Sequence, residues 1–167
     1  MNGLARDLDK FFQEIPKDLR YHLELRTDLY LRGPVFEVLS KPGVGQVLSH
    51  WTRVPPWRKQ LTKAEGRFFN PGNQSVIRLM TPLGMRYEEA YAPAYPFDRV
   101  IKGLLQPQMV LEAQEIVKSA IEKGVPVNLL INNRVGGNAP LIARKIAEKF
   151  LPKKSDPLQG KRLSGSF

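Results

Sequence analysis

The sequence predicts an α/β fold in which four parallel strands alternate with helices, and three observations lead to this prediction. Apolar runs of strand length occur four times along the 167 residues. Amphipathic stretches with helical spacing lie between these runs. The runs end in polar, proline or glycine residues, as expected where a strand turns towards a helix. Alternating strands and helices favour a parallel sheet with right-handed connections.

The amino-terminal part of the chain supplies two helices and two strands of this pattern. Apolar residues recur at helical spacing over residues 4–15, which predicts a first helix that ends at Pro16. Residues 21–26, which read YHLELR, alternate apolar and polar side chains and form the first predicted strand. A short helix over residues 35–40 and a second strand over residues 44–48 follow.

The middle of the chain contains two predicted loops. Residues 52–73 are rich in proline, glycine and charge, and we predict an irregular loop there, since long loops in compact domains are often functional. Residues 75–80, which read SVIRLM, form the third predicted strand, and residues 81–96 form a second surface loop. An amphipathic helix is predicted after Pro107.

The stretch over residues 127–150 reads as a strand, a polar turn and a helix. Two adjacent glycines permit a sharp turn, and Asn138 is a natural N-cap for the helix, with Pro140 in its first turn. Ligands of α/β proteins bind at the carboxyl ends of strands, so this turn predicts the place of a site. Four strands spaced in this way predict half of a (β/α)8 barrel, of the TIM type, and an open four-stranded sheet is the alternative.

Composition narrows the class of protein. A hydrophobic content of 42% predicts a folded domain over residues 1–151, followed by a basic flexible tail over residues 152–167. The absence of cysteine excludes disulfides and thiol nucleophiles and suits a reducing cytosol. No apolar run approaches the ~20 residues that cross a bilayer, so we expect a cytoplasmic protein without a membrane partner. The formal charge of +10 leaves nucleic-acid binding as an alternative function.

Four segments share a pattern with a known family: YHLELRT, GQVLSHW, SVIRLMTPLGMRYEE and VNLLINNRVGGNAPLIARKIAE. The residues that match its motifs are Glu24, Arg26, Arg78, Asn132, Asn133, Gly137, Ala139 and Pro140. Over residues 11–151 the chain resembles the carboxyl half of the YecE-like family, a family of unknown function similar to a TIM barrel. The resemblance implies that the four strands are the last four of a barrel. The amino half would then come from a separate chain or from self-association, or would be missing from a truncated, inactive half-barrel.

Alternate strand residues face the interior of a barrel, which assigns the polar residues to a candidate site. Glu24 and His50 are the candidate catalytic acid or base, Glu24 on the condition that its surroundings raise its pKa. Gln46 and Leu48 are assigned to the same interior face as His50. The candidate contacts to a small anionic ligand are Arg26, Arg78, Asn132, Asn133, Gly136, Gly137 and Asn138.

The candidate site lacks the signatures of a cofactor or a metal. The glycine turn is neither a GxGxxG motif nor a phosphate-binding P-loop, and we predict no nucleotide cofactor. His22, Glu24 and His50 lack the spacing of common metal motifs, so we predict no metal. A structural ion-pair network is the alternative to a ligand site, and the sequence leaves open whether the chain catalyses a reaction.

Overall fold

The computed structural model describes residues 3–68 and 74–151. The predicted tail over residues 152–167 lies outside these ranges, as do residues 69–73 of the first predicted loop. The strands are β1 (His22–Leu23), β2 (Gly45–His50), β3 (Ser75–Leu79) and β4 (Val127–Ile131). The α-helices are α1 (Gly3–Glu14), α2 (Gly33–Ser40), α3 (Trp57–Lys63), α4 (Tyr91–Ala94), α5 (Pro107–Glu122) and α6 (Ala139–Ala147). The longest of them is the 16-residue α5, and no helix within the described ranges could span a bilayer.

The four strands form one parallel sheet whose order follows the chain, β1-β2-β3-β4. β1 pairs with β2 over two residues, whereas β2 pairs with β3 over four and β3 with β4 over five. Parallel strands in chain order, with helices in the connections, are the arrangement of half a (β/α)8 barrel. The predicted fold class is therefore confirmed.

The helices cover one face of the sheet and bury its apolar side chains. Leu48 of β2 and Ile77 and Leu79 of β3 are at most 2% exposed, and they belong to one cluster with Trp57 of α3 and Met109 of α5. Burial of this kind is the main favourable contribution to folding. A second cluster, formed by residues of α1 and α2 and the segments beside them, includes Leu25, Leu31, Phe36 and Leu39.

The opposite side of the sheet is called the open face and consists of Val47, Ser49, Val76, Arg78, Asn128 and Leu130. In the strand register, Ser49 of β2 lies beside Arg78 of β3, which lies beside Leu130 of β4. Leu130 is 52% exposed, because none of the described elements covers β4 on this side. In a closed barrel the open face would line the interior.

The structure corrects three boundaries predicted from the sequence. α3 lies inside the loop predicted over residues 52–73 and begins at Trp57, with Pro56 as its N-cap. Proline is tolerated at the start of a helix, so the Pro55-Pro56 pair does not prevent a helix directly after it. α4 likewise lies inside the second predicted loop. β1 is shorter than predicted, because only two of its residues pair with β2.

Candidate functional site

Side chains from three neighbouring segments meet at Glu24, near the carboxyl ends of the strands. Glu24 Oε2 accepts hydrogen bonds from Arg26 Nε at 2.9 Å and from Arg78 Nη1 at 2.6 Å. Glu24 Oε1 accepts a hydrogen bond from the Ser49 hydroxyl. The Glu24 side chain is 15% exposed and that of Arg78 is 32% exposed. Because two arginines share one carboxylate, the cluster keeps a net positive charge.

The Glu24 carboxyl group is held in its ionised form. Burial by itself raises the pKa of Glu24, but hydrogen bonds from Ser49 and Arg26 and the charge of Arg78 outweigh burial and lower the pKa. A general acid that works near neutral pH needs a raised pKa, so the condition set for this role is not met. The geometry instead makes Glu24 the group that positions the two guanidinium groups.

His50 lies on the helix-covered face, which corrects its predicted place in the interior. Its Nδ1 donates to the Thr81 carbonyl at 3.3 Å, and its ring meets Trp57 edge to face, with centroids 5.5 Å apart. Burial lowers the pKa of His50 and favours the neutral ring. Gln46 and Leu48 share this face by strand alternation. The sequence did not reveal the orientation, because β2 is buried along its whole length and carries polar residues on both faces.

A cavity of about 280 Å³ opens at the carboxyl ends of β2 and β3. Its lining includes the aromatic residues Trp51 and Tyr87, the basic residues Arg53 and Arg86, and the acidic residue Glu88. The Arg26 guanidinium carbon lies 5.6 Å from the ring centroid of Trp51, within the range of a cation–π contact. Trp51 therefore links the cavity to the cluster around Glu24.

Arg134 is a functional candidate that the sequence reasoning missed. Its guanidinium carbon lies 3.7 Å from the ring centroid of Tyr87 and 5.3 Å from that of Tyr91. Asn132 fixes both partners, because its side-chain oxygen accepts from the Arg134 amide at 3.0 Å and its nitrogen donates to the Tyr87 hydroxyl at 3.3 Å. Across residues 3–68 and 74–151, Arg134 forms no ion pair with a carboxylate. The sequence signal is only an arginine after a strand end.

The glycine turn after β4 uses its own hydrogen-bonding groups. The amides of Gly136 and Gly137 both donate to the Asn133 carbonyl, at 3.2 and 2.7 Å. The side-chain oxygens of Asn133 and Asn138 accept from backbone amides at the start of α6, at 2.7 and 2.9 Å. Asn138 is thus the N-cap that the sequence predicts. The predicted ligand contacts of these four residues are not supported, because these amides and side-chain oxygens already have partners within the turn.

Comparison with models of protein families shows to which family the chain belongs. The model of a family described as "Protein of unknown function DUF72" matches residues 2–163. The chain belongs to the DUF72 family. No curated protein matches the chain.

A solved structure of another DUF72 protein, from Thermotoga maritima, has the same fold. The two chains are 17% identical, and their superposition gives a TM-score of 0.54. The match covers 90% of this chain and 52% of the other, so this chain spans about half the length of the Thermotoga DUF72 protein. At this identity the similarity shows a shared fold and carries no information on ligands.

Proposed function

We propose that the carboxyl edge of the sheet binds a small anionic molecule. The observation that carries this proposal is the set of three arginines, Arg26, Arg78 and Arg134, which have Glu24 as their single carboxylate partner among the described residues. Guanidinium groups bind carboxylates and phosphates through paired, charge-assisted hydrogen bonds. Sites of (β/α)8 barrels also lie at this end of the strands. Because the Glu24 carboxylate already has three donors, the proposal is for binding rather than for acid catalysis.

Inorganic phosphate is the probe that tests this proposal, with calorimetry at constant ionic strength as the measurement. We expect Arg134→Gln to weaken phosphate binding about tenfold, the equivalent of one charge-assisted hydrogen bond. Arg144→Gln is the matched control, because Arg144 lies in the last turn of α6 and its replacement removes the same charge. The proposal fails if the wild-type chain does not bind phosphate, or if both variants lose the same affinity.

We also propose that the chain corresponds to the carboxyl half of a YecE-like member of DUF72. Glu24, Arg26 and Arg78 carry that resemblance, and the same residues form the cluster at the carboxyl edge. On this proposal, four further β/α units lie outside residues 1–167, on the same polypeptide or on another chain, and pair with β1 and β4. The absence of cysteine supports a cytoplasmic location.

Apolar surface at both edges of the sheet supports such a partner. Leu130 is 52% exposed on the open face, and Phe11, Phe12 and Leu23 line a cavity of about 290 Å³ beside β1. Open strand edges with apolar surface favour association.

We expect residues 1–167 alone to self-associate in light scattering, and Leu130→Lys to shift the chain towards monomer. Leu141→Lys, at a position on α6 that is 42% exposed, is the control, and a monomeric wild-type chain would contradict the prediction.

A further inference from the structure

An exposed aromatic cluster lies beside the cavity; it consists of Tyr91, Tyr95 and Phe97 and is called the aromatic shelf. The rings of Tyr91 and Tyr95 are stacked, with centroids 5.9 Å apart and an interplanar angle of 25°. Phe97 meets both rings edge to face, at 5.4 and 5.9 Å. Tyr91 is 43% exposed and Tyr95 is 61% exposed. Tyrosines contribute large contact areas at interfaces, so a stacked pair open to solvent is suited to a ligand or a partner.

Arg134 connects the aromatic shelf to the anion site. Its guanidinium group lies over Tyr87, which lines the cavity, and it also contacts Tyr91, the first ring of the shelf. A molecule whose anionic group binds at Arg134 would therefore lie beside the exposed ring of Tyr91. Positive charge and stacking surface occur side by side, which is the combination that recognises a charged molecule with a planar ring.

The backbone of the shelf is held in an uncommon conformation. Phe97 has a φ of +68°, in the left-handed region that residues other than glycine rarely adopt. The Asn138 side chain donates to the Phe97 carbonyl at 2.8 Å, so the N-cap of α6 also fixes this residue. Strained residues persist where their surroundings determine the conformation, and they occur often at ligand sites. Here the conformation accompanies a Phe97 ring packed against the two tyrosines.

We propose that the anion bound at the carboxyl edge carries a planar aromatic ring, which stacks on the aromatic shelf. This inference rests on the proposed function and adds the class of ligand. The anionic group of the ligand would bind at Arg134, which lies over Tyr87, and its ring would lie against Tyr95, which is 61% exposed. A nucleoside monophosphate is a simple probe that carries both parts.

The test compares adenosine 5′-monophosphate with ribose 5-phosphate, which has the phosphate and the sugar but no aromatic base to stack. We expect calorimetry at constant ionic strength to give about tenfold tighter binding of the nucleotide. Tyr95→Ala should abolish this preference and leave the affinity for ribose 5-phosphate unchanged. Tyr95→Phe should keep the preference, since stacking needs the ring and not the hydroxyl. Phe11→Ala, which removes a 52% exposed ring from α1, is the control for loss of an aromatic side chain.

The possible outcomes separate this inference from the proposed function. Equal binding of the two phosphates by the wild-type chain would overturn the role of the shelf and leave the anion site standing. A nucleotide preference that survives Tyr95→Ala, in a variant whose circular dichroism is unchanged, would overturn it as well. If the wild-type chain binds neither inorganic phosphate nor either of the organic phosphates, the anion site is overturned, and the shelf proposal with it.

Discussion

Gly137→Ala is expected to lower the free energy of unfolding by about 3 kcal/mol, the largest effect we predict. Gly137 has a φ of +101°, which alone disfavours any other residue. A Cβ at this position would lie 2.4 Å from the Arg99 carbonyl oxygen and 2.7 Å from Ile101 Cγ1. The backbone would have to move, and the hydrogen bond from the Gly137 amide to Asn133 would weaken. Urea unfolding followed by tryptophan fluorescence measures the loss.

Gly103→Ala separates the steric contact from the cost of the backbone conformation. Gly103 has a φ of +84°, and a Cβ there would meet no atom within 4 Å. We expect this control to lose only about 1 kcal/mol, the cost of a positive φ for alanine. Equal losses at the two positions would mean that the close packing around Gly137 is not what stabilises the turn.

Glu24→Gln is expected to lower the free energy of unfolding by about 2 kcal/mol at neutral pH. The change leaves Arg78 partly buried without its negative partner, and loss of one member of a buried pair is more costly than loss of an exposed one. We place the expected value below that of a fully buried pair, because the Arg78 side chain is 32% exposed. Glu115→Gln is the control, since Glu115 and its partner Arg58 are 41% and 69% exposed, and we expect less than about 0.5 kcal/mol there.

The same variant predicts how stability depends on pH. The folded-state pKa of Glu24 is lower than its unfolded value, so the stabilisation is complete above the unfolded pKa and is lost as pH falls through the folded pKa. We therefore expect the difference in the free energy of unfolding between wild type and Glu24→Gln to be constant at neutral pH and to shrink from about pH 5 downwards. A difference that stays constant into the acid range would show that the charge of Glu24 is not the cause.

The closing part of the chain is the part best predicted from the sequence, because its signals are local. The apolar run gives β4 its observed bounds, and Asn138 and Pro140 give the start of α6. These features depend on a few neighbouring residues, so no tertiary information is needed. The strand order and the parallel pairing follow from the alternation of strands and helices.

Features that depend on distant partners are predicted less well. β2 is buried along its whole length, so polar alternation could not place His50, and the prediction chose the wrong face. Arg26 and Arg78 both pair with Glu24, since a largely buried carboxylate needs a positively charged partner and this need restricts the possible pairings. Arg134 was missed, because its contacts are with two tyrosines about 45 residues earlier in the chain, at positions 87 and 91.

The contacts of Glu24 also bear on how β1 stays in the sheet. β1 has only two residues paired with β2, whereas the Glu24 side chain reaches both Ser49 on β2 and Arg78 on β3. An anion that takes up Arg78 would compete with Glu24 and ease the local opening of this edge strand. Anion binding would then favour the opening of β1, and a well-ordered β1 would in turn weaken anion binding, because the linkage is reciprocal. A chain that docks on β1 and holds it in place would thereby lower the affinity of the proposed anion site.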